Sequence, residues 1–570
     1  MRYHVLACDY DGTLAHHGRV DDPTVAALER VRASGRKLIL VTGRQLEDLQ
    51  ANFSRLDLFE LAVLENGGII YDPRTSEVQL LGEPPPPDFA DVLRARGVDP
   101  VSVGRVVVAT WQPHETTAVE VIKDLGLELQ VVFNKGAVMI LPSGVNKASG
   151  LLVALEQLGY SRHNVVGVGD AENDHAFLHI CECAVTVSNA LPKLKDRADL
   201  VTVGRSSEGV TELTATLVNS DLRALGPRLQ RHALRVGTYA DGGPVTVGPY
   251  SAPVLVAGTS GGGKTTVAIT LLEQLVENGY QFCVVDPEGD YGDFKGAVTL
   301  GDRDQVPGVA EILELLSRPS ENVIINLLGV SLANRPPFFQ ELLPRLLEMR
   351  ARTGRPHFML VDETHHLLPQ RWDTTALSLP GEPHGFILIS ARPGHVSPAL
   401  LRKVGCAIVV GPELEPTLSE FAAAVGLRAP QLEGGPSGPG LGVLWSCHPD
   451  EPARRMRANR PHAEHRRHVR KYAIGELGPD ASFFFRGPDA RLRLRAQNLH
   501  LFVQIAEGVD DDTWLYHLHQ GDYSRWMRES IKDGDLAEEV SRIEAERDMN
   551  PAESRARVHG AISRRYTAPA

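Results

Sequence analysis

Short apolar runs alternate with helix-like stretches over most of this 570-residue chain, and that alternation limits the folds open to it. Tyr3–Cys8, Lys37–Val41 and Leu61–Leu64 are predicted to be buried strands, and Pro23–Ser34 is predicted to be a helix between the first two. Strands that alternate with helices form parallel sheets with helices on both faces. We therefore predict a multidomain α/β protein whose polar strand ends carry the chemistry.

Composition narrows the class of protein further. The chain is 42% hydrophobic and 23% charged, as is typical of globular proteins, and its net charge of −13 argues against a general coat for nucleic acid. Six scattered cysteines are too few for a disulfide scaffold. No apolar run approaches the ~18–20 residues that span a bilayer. We expect a cytoplasmic protein without a membrane partner.

Composition shifts divide the chain into four predicted regions. They are residues 1–218, a Rossmann-like core with an α+β insert at about 80–143; residues 225–425, a second α/β unit; residues 426–471, a linker with a basic stretch; and residues 472–570, a mainly helical domain. The basic stretch has eight Lys or Arg residues against one Glu between Arg454 and Lys471. A phosphate-binding strip and a solvated linker or helix both fit that count, and the second is the commoner explanation.

The first predicted strand runs directly into Asp9-Tyr10-Asp11-Gly12-Thr13. Alternation along an extended chain places Asp9 and Asp11 on one side, just beyond the carboxyl end of the strand. Two neighbouring carboxylates repel each other unless a cation or a shared proton relieves them. Mg²⁺, which prefers oxygen ligands, is the cation that this pattern predicts.

Three later segments supply the other groups that phosphoryl transfer needs. Thr42 and Gly43 end the second strand, where a hydroxyl can hydrogen-bond a phosphate oxygen. Lys147 follows the insert and can neutralise charge on the transferring group. Asp170 and Asp174 follow another strand and offer more carboxylates to a metal. The order of these pieces at strand ends and helix starts predicts a phosphoryl-transfer site.

These motifs resemble those of the haloacid dehalogenase (HAD) phosphohydrolase superfamily over residues 1–218. The insert between Thr42 and Lys147, with the runs Glu65-Asn66-Gly67-Gly68 and Val187-Ser188-Asn189-Ala190, is similar to the Cof-type branch with a C2-type cap. The resemblance implies that Asp9 is a nucleophile that forms an aspartyl-phosphate, and that Asp11 is the general acid and then the base. Such a covalent route splits one difficult displacement into two easier ones.

The same resemblance implies the binding residues. Thr42, Gly43, Lys147 and Asn173 would hold the substrate phosphate. Asp9, Asp170 and the backbone carbonyl of Asp11 would bind Mg²⁺, with Asn173 and Asp174 in support. A cap over the site encloses a small volume, so the expected substrate is a small phosphorylated metabolite such as a sugar phosphate.

The second α/β unit contains a complete G-x-x-x-x-G-K-[ST] motif between a strand, Val254–Ala257, and a helix, Thr266–Asn278. Its glycines let backbone N–H groups converge on phosphate oxygens, and the helix N-terminus adds positive potential. Lys264 would reach the β- and γ-phosphates and the Thr265 hydroxyl would bind Mg²⁺. The predicted ATP-binding residues are Gly258, Ser260, Gly261, Gly262, Gly263, Lys264, Thr265 and Thr266.

A later apolar strand, Phe358–Val361, ends in Asp362 and Glu363. Asp362 would hold the Mg²⁺ water shell, and Glu363 would polarise the attacking water. A kinase has no need of that second carboxylate, so the pair favours ATP hydrolysis over transfer to an acceptor.

Residues 225–425 also resemble the HerA/FtsK group of motor-type ATPases. The resemblance rests on the two motifs above, on Asp286–Tyr291 and on Ile387–Pro393. It implies a ring of identical subunits in which a neighbour's arginine completes the ATP site. The candidate arginines are Arg350, Arg352, Arg355 and Arg392.

Three hypotheses for the whole chain follow. The first is a Mg²⁺-dependent phosphatase fused to an ATPase. The second is a nucleic-acid end-processing enzyme with a 5′-kinase and a 3′-phosphatase, against which Glu363, the cap and the acidic charge balance argue. The third is a regulatory or DNA-associated assembly that has the ATPase as scaffold and the phosphatase domain as sensor.

Overall fold

The computed structural model describes most of the chain. The described residues are 1–259, 261–370, 383–432, 434–435, 438, 440–448, 450–461, 477, 481–531, 533–546 and 549–566. Ser260, and residues 462–471 of the basic stretch, therefore lie outside the described residues. Within them, no helix combines the length and apolar character that crossing a bilayer requires.

The first region is an eight-stranded sheet, parallel except at one edge, in the order β12-β11-β10-β1-β2-β3-β4-β5. Its strands are β1 Val5–Cys8, β2 Lys37–Val41, β3 Leu61–Leu64, β4 Ile69–Asp72, β5 Glu77–Leu80, β10 Val165–Gly169, β11 Cys183–Thr186 and β12 Leu200–Val201. Its helices are α1 Asp22–Ala33, α2 Leu46–Asn52, α5 Lys147–Leu158, α6 His175–Ile180, α7 Pro192–Lys195 and α8 Ser206–Ser220. The sheet is buried on both faces, which confirms the predicted α/β core.

The insert forms a separate four-stranded antiparallel sheet in the order β6-β7-β9-β8. Its elements are α3 Phe89–Ala95, β6 Ser102–Val103, β7 Val108–Trp111, α4 Glu115–Asp124, β8 Leu129–Asn134 and β9 Ala137–Pro142. Two helices pack on one face of this sheet around Phe89, Leu93 and Val121. The insert is therefore the small α+β cap that the sequence predicts.

The second region is built on an eleven-stranded sheet in the order β14-β13-β23-β22-β21-β15-β20-β19-β16-β18-β17. Its strands are β13 Leu234–Tyr239, β14 Pro244–Val247, β15 Val254–Ala257, β16 Phe282–Asp286, β17 Val298–Leu300, β18 Val323–Asn326, β19 Phe358–Val361, β20 Phe386–Ser390, β21 Cys406–Val410, β22 Leu441–Trp445 and β23 Arg454–Ala458. Its helices are α9 Lys264–Asn278, α10 Val309–Ser317, α11 Arg335–Thr353, α12 Thr364–Leu367, α13 Pro398–Leu401 and α14 Leu414–Val425. The strands from β21 to β17 run parallel, and four antiparallel strands extend the sheet beyond β21.

The expected linker at 426–471 needs correction, because β22 and β23 belong to this sheet. Along β23 the exposed Arg454 and Arg457 are interleaved with the buried Met456 and Ala458. The charge count therefore hid the period-two pattern of a half-buried strand.

The last region is mainly helical, as predicted. A hairpin of β24 Phe483–Phe485 and β25 Leu494–Ala496 precedes five helices, α15 Leu499–Gly508, α16 Asp511–Gln520, α17 Asp522–Glu529, α18 Gly534–Ala545 and α19 Pro551–Arg565. Phe485, Trp514 and Tyr523 pack in its core. His517 Nε2 accepts from the Arg486 backbone N–H and its Nδ1–H donates to Asp522, so both ring nitrogens take part in hydrogen bonds within this region.

The two α/β regions meet at the amino-terminal ends of their parallel strands. Tyr280, just before β16, donates a 2.7 Å hydrogen bond to Glu182, just before β11. His357 Nε2, just before β19, lies 3.3 Å from Asn164 Oδ1, just before β10. Because the chemistry of such sheets lies at their carboxyl ends, the two candidate sites face away from this shared interface.

The interface is polar at its centre, where the buried His163, Glu182 and Tyr280 and the half-buried His232 form what we call the interface cluster. His163 Nδ1 lies 2.8 Å from Glu182 Oε2, and His163 Nε2 lies 2.8 Å from the carbonyl of Asn278. Burial alone would raise the pKa of Glu182, but the hydrogen bond and charge of His163, with the charges of His232 and Arg2, lower it to about 2. The ionised carboxylate therefore stabilises the packing of the two regions.

We predict that Glu182→Gln lowers the free energy of unfolding by about 3 kcal/mol near neutral pH, since it removes one partner of a buried ion pair. Its folded pKa of about 2 lies below the ordinary 4.5. The wild-type contribution is thus complete above pH 4.5 and is lost as the pH falls through 2.

Chemical unfolding at a series of pH values tests this. The difference between wild type and variant should shrink on acidification, whereas the exposed matched control Glu156→Gln should stay within about 0.5 kcal/mol of wild type throughout. A difference that is independent of pH would contradict the account.

Candidate functional site

A lysine and two aspartates form the centre of the first site. Lys147 Nζ lies 2.5 Å from Asp9 Oδ1 and 2.6 Å from Asp174 Oδ1, and all three residues are buried. Asp9 follows β1 directly, and Lys147 is the first residue of α5, whose N-cap Asn146 accepts from the Ala148 and Ser149 N–H groups. The N-cap hydrogen bonds of Asn146 fix where α5 starts and hence where the Lys147 ammonium lies.

Burial sets the electrostatics of this centre. Burial and the neighbouring Asp174 raise the pKa of Asp9 to about 7, although Lys147 opposes the shift. Burial disfavours the charge on Lys147, but Asp174 and Asp9 raise its pKa above the usual value. Asp174 also accepts from the N–H groups of Asp170 and Ala171 at 2.8 and 2.9 Å, so it shapes the loop after β10.

Asp11 lies apart from this buried centre. Its carboxylate accepts two 2.7 Å hydrogen bonds from Arg44, and 41% of the side chain is exposed. The side chains of Asp9 and Asp11 therefore do not share one cation, contrary to the simplest interpretation of D-x-D. The backbone carbonyl of Asp11 does face the site, where it accepts from Lys135 Nζ at 3.2 Å.

Asp170 completes a group of carboxylates with Asp9 and Asp174, whose ligand oxygens lie within 4.8 Å of one another. Asp170 Oδ2 accepts from Lys135 Nζ at 2.6 Å and from Asn189 Nδ2 at 3.1 Å. Its Oδ1 is buried and meets no hydrogen-bond donor in the described part of the chain. Hard oxygen donors with one buried oxygen unsatisfied fit a Mg²⁺ ion.

The predicted phosphate-binding residues surround this group. Thr42 is buried at the end of β2, where its hydroxyl accepts from the Arg44 N–H at 3.2 Å. Gly43 lies beside the cap, since a Cβ at that position would be 3.1 Å from Met139. Asn173 donates to Asn66 Oδ1 at 3.0 Å, and its own Oδ1 meets no donor among the described residues.

Sequence reasoning missed four contributors to this site. Neither Arg44 nor Lys135 was singled out. Asn189 belonged only to a family-like run, yet it bonds both Asp170 and the Gly12 carbonyl. Glu65 is wholly buried and accepts from the three backbone N–H groups of residues 105–107, directly before the cap strand β7. The only sequence signal for this contact was the run Glu65-Asn66-Gly67-Gly68, which predicts a tight turn. It did not indicate that the glutamate holds the cap in place.

The second site has the shape of a phosphate-binding loop. The loop after β15 contains Gly258 and Gly263 with φ angles of 151° and 104°, and a Cβ at Gly258 would overlap the Val410 carbonyl. Lys264 Nζ donates to the carbonyls of Gly258 and Thr259 at 3.0 and 3.2 Å. Gly261 and Gly262 continue the loop, and Thr265 and Thr266 lie half-buried in the first turn of α9.

The predicted acidic pair lies at the end of β19, which is separated from β15 by β20. Burial and the nearby Glu363, Asp290 and Asp286 raise the pKa of Asp362 well above its usual range. Glu363 adopts a left-handed backbone with φ 38°, and its Oε2 lies 3.3 Å from His365 Nδ1. Strained residues of this kind often occur at functional sites.

Two of the four candidate arginines are wrongly placed for a neighbour's site. Arg355 is buried at the interface of the two regions, where it donates to Gly159 and Gln281. Arg350 turns inward and donates to the carbonyl of His357. Arg352 and Arg392 are exposed in the described structure.

Comparison with known proteins gives matches to segments of both α/β regions. The family described as haloacid dehalogenase-like hydrolase matches residues 6–81 and 107–213. A protein named phosphoglycolate phosphatase from Methanothermobacter thermautotrophicus is 31% identical over 217 residues, which are 36% of this chain and 95% of that protein. Phosphoglycolate phosphatase 2 from Saccharolobus solfataricus is 27% identical over 38% of this chain and 93% of its own length.

The remaining comparisons concern a solved structure and the second α/β region. A haloacid dehalogenase-like hydrolase from Bacteroides thetaiotaomicron of known structure aligns with 38% of this chain and 99% of its own at 20% identity, with a TM-score of 0.33. The central domain of the helicase HerA matches residues 250–333, which contain the glycine-rich loop and α9.

The position of Gly12 provides a sharp test of the first site. A Cβ there would overlap Asp170 Oδ2 and would lie 2.6 Å from Lys135 Nζ. We predict that Gly12→Ala weakens Mg²⁺ binding by at least roughly tenfold, because the carboxylate must move. Titration calorimetry measures the affinity.

Gly97→Ala is the matched control. Its φ of 82° equals that of Gly12, at 83°, within a degree, but no described atom lies within 4 Å of its added Cβ. Both variants should lose about 1–2 kcal/mol of stability from backbone strain. Equal loss of metal binding in both would show that strain, not the carboxylate, is responsible.

Proposed function

The chain belongs to the haloacid dehalogenase-like hydrolase family, and from that premise we propose that its first site is a Mg²⁺-dependent phosphatase for small phosphomonoesters. The observation that carries the proposal is the buried contact of Lys147 with Asp9 and Asp174 beside Asp170. A nucleophilic carboxylate, a fixed cation and a group of oxygen ligands meet at one sheet edge. Two relatives named phosphoglycolate phosphatase favour a short, anionic substrate over a larger sugar phosphate.

Asp9 would attack phosphorus, and the departing alcohol oxygen would take a proton from Asp11. Water would then attack the aspartyl-phosphate and give a proton to Asp11, which releases inorganic phosphate and restores Asp9. The exposure of Asp11 supports its role as general acid and then base, since a solvent-facing carboxyl can contact both the departing alcohol and the attacking water. Arg44 must release that carboxylate, or turn with it, when the substrate enters.

Asp9, Asp170 and the backbone carbonyl of Asp11 would hold Mg²⁺, with Asp174 behind them. When bound, the ion would neutralise negative charge on the phosphoryl group and its nucleophile. Lys147 would keep Asp9 oriented and would pair with a phosphate oxygen, while Thr42, Gly43 and Asn173 line the same edge.

The second site supports a separate proposal, that residues 250–410 bind and hydrolyse ATP. Gly258 and Lys264 have the placement that a phosphate-binding loop needs, and Asp362 and Glu363 lie at the end of β19, two strands away from β15 in the same sheet. Glu363 would orient the attacking water. A ring of this chain, with Arg352 or Arg392 from a neighbour, belongs to the same proposal.

The placement of the sites disfavours the nucleic-acid end-processing alternative. Each site lies at the end of its sheet that points away from the shared interface. The end of a nucleic-acid strand could therefore not pass directly from a kinase site to a phosphatase site. Two independent hydrolytic activities fit this arrangement better.

We predict that Asp9→Asn lowers phosphate release from p-nitrophenyl phosphate by about 10⁴-fold or more, because the nucleophile is lost. ATP hydrolysis by the same preparation should be unchanged. Asp196→Asn, an exposed aspartate on the same domain, is the control. Phosphatase activity at the wild-type level in Asp9→Asn would refute the assignment of the nucleophile.

We expect the reverse pattern for Lys264→Ala. Loss of the ammonium that faces the nucleotide phosphates should lower ATP hydrolysis by roughly 10²-fold or more while phosphatase activity persists. The exposed Lys295→Ala serves as its control. Undiminished ATP turnover in Lys264→Ala would exclude the glycine-rich loop as the hydrolytic site.

A further inference from the structure

A lysine of the cap lies where a metal ion would otherwise be expected. Lys135 Nζ donates to Asp170 Oδ2 at 2.6 Å and to the Asp11 carbonyl at 3.2 Å. Both oxygens belong to the proposed Mg²⁺ ligands. Lys135 therefore acts as a tethered cation for that ligand set.

The backbone that carries Lys135 is firmly held. Lys135 and Gly136 form the two-residue loop between β8 and β9, with φ angles of 48° and 91°. Positive φ at both central residues is typical of the tight type I′ hairpin, in which glycine or asparagine usually takes the first position. The Lys135 N–H donates to Glu172 Oε2 at 3.3 Å, and Glu65 anchors the other end of the cap sheet.

Non-glycine residues adopt positive φ less readily than glycine, so Lys135 takes this turn position at a cost in backbone free energy. The side chain is 44% exposed, whereas Asp170 beneath it is 1% exposed. Its ammonium therefore lies at the boundary between the buried carboxylates and the space under the cap. A substrate bonded to Asp9 through its phosphate would extend into that space.

We propose that Lys135 recognises a carboxylate on the leaving group of the substrate, and that it becomes free to do so when a divalent cation displaces it from Asp170. The proposal rests on the phosphatase function proposed above and names its substrate class as phosphorylated hydroxy acids. A divalent ion bound to those two oxygens would lie next to the ammonium, and two like charges so close repel each other strongly. The flexible four-carbon stem lets the ammonium move without movement of the hairpin.

Two esters that differ only at the group in question provide the test, 2-phosphoglycolate and 2-hydroxyethyl phosphate. The wild type should prefer phosphoglycolate. In Lys135→Met the ratio of the two kcat/KM values should fall roughly tenfold to a hundredfold, the worth of one charge-assisted hydrogen bond. Lys135→Arg, which keeps the charge, should retain most of the preference, and the exposed cap variant Lys123→Met should behave as wild type.

Metal binding supplies a readout that is independent of turnover. Calorimetric titration with Mn²⁺ should give tighter binding in Lys135→Met than in wild type, since the competing ammonium is gone. Unchanged or weaker Mn²⁺ binding overturns the proposal, and so does a ratio of kcat/KM values that is the same in Lys135→Met and wild type.

The experiment distinguishes failure of the proposed phosphatase function from failure of the proposed role of Lys135. If the wild type hydrolyses neither ester, the phosphatase function and the role of Lys135 fall together. If the wild type hydrolyses both and Lys135→Met slows both equally, only the role of Lys135 is refuted.

Discussion

The contact of Lys147 with Asp9 and Asp174 is the interaction on which the first half of the protein depends. Parallel strands bring Asp9 and Asp170 to one edge of the sheet, and the loop after β10 adds Asp174. Three buried carboxylates in one place would repel each other strongly without cations. The start of α5 supplies one of these cations from below, and the cap hairpin supplies a second, Lys135, from above.

Much of this arrangement could be predicted from the sequence because it depends on local rules. Strand β3 has the predicted bounds Leu61–Leu64, and Asp9, Thr42, Asp170 and Lys264 lie at strand ends or helix starts, where the chain pattern puts them. Such positions follow from hydrophobic periodicity and from the chemistry of the residues that interrupt it.

The contacts that sequence reasoning missed join residues far apart in the chain. Two of them are the hydrogen bonds of Lys135 to Asp170 and of Val106 to Glu65. Both depend on how the cap folds back over the core, which no local pattern encodes. The pairing of Asp11 with Arg44 was hidden for a different reason, since alternation fixes the side of a strand but not a side chain's partner. Strand β23 was missed because three arginines in five residues resemble a solvated linker.

The interface cluster shows how the two α/β regions can be joined while their sites stay separate. Its buried members are Glu182, His163 and Tyr280. They lie at the amino-terminal ends of the parallel strands, away from both the glycine-rich loop of the second region and the aspartates of the first. Communication between the sites would have to pass along whole strands. These contacts join the two regions at the ends of their sheets that lie away from the two proposed sites.

The central claim is that Asp9 bonds phosphorus while a divalent ion lies against the same carboxylates. Crystals grown with Mg²⁺ and beryllium fluoride, which mimics a phosphoryl group on a carboxylate, test it most directly. The account predicts a beryllium fluoride group bonded through beryllium to an oxygen of Asp9, an ion between Asp9 and Asp170, and Lys135 turned away from both. An adduct elsewhere, or an Asp9 free of both groups under conditions that saturate the protein, would contradict it.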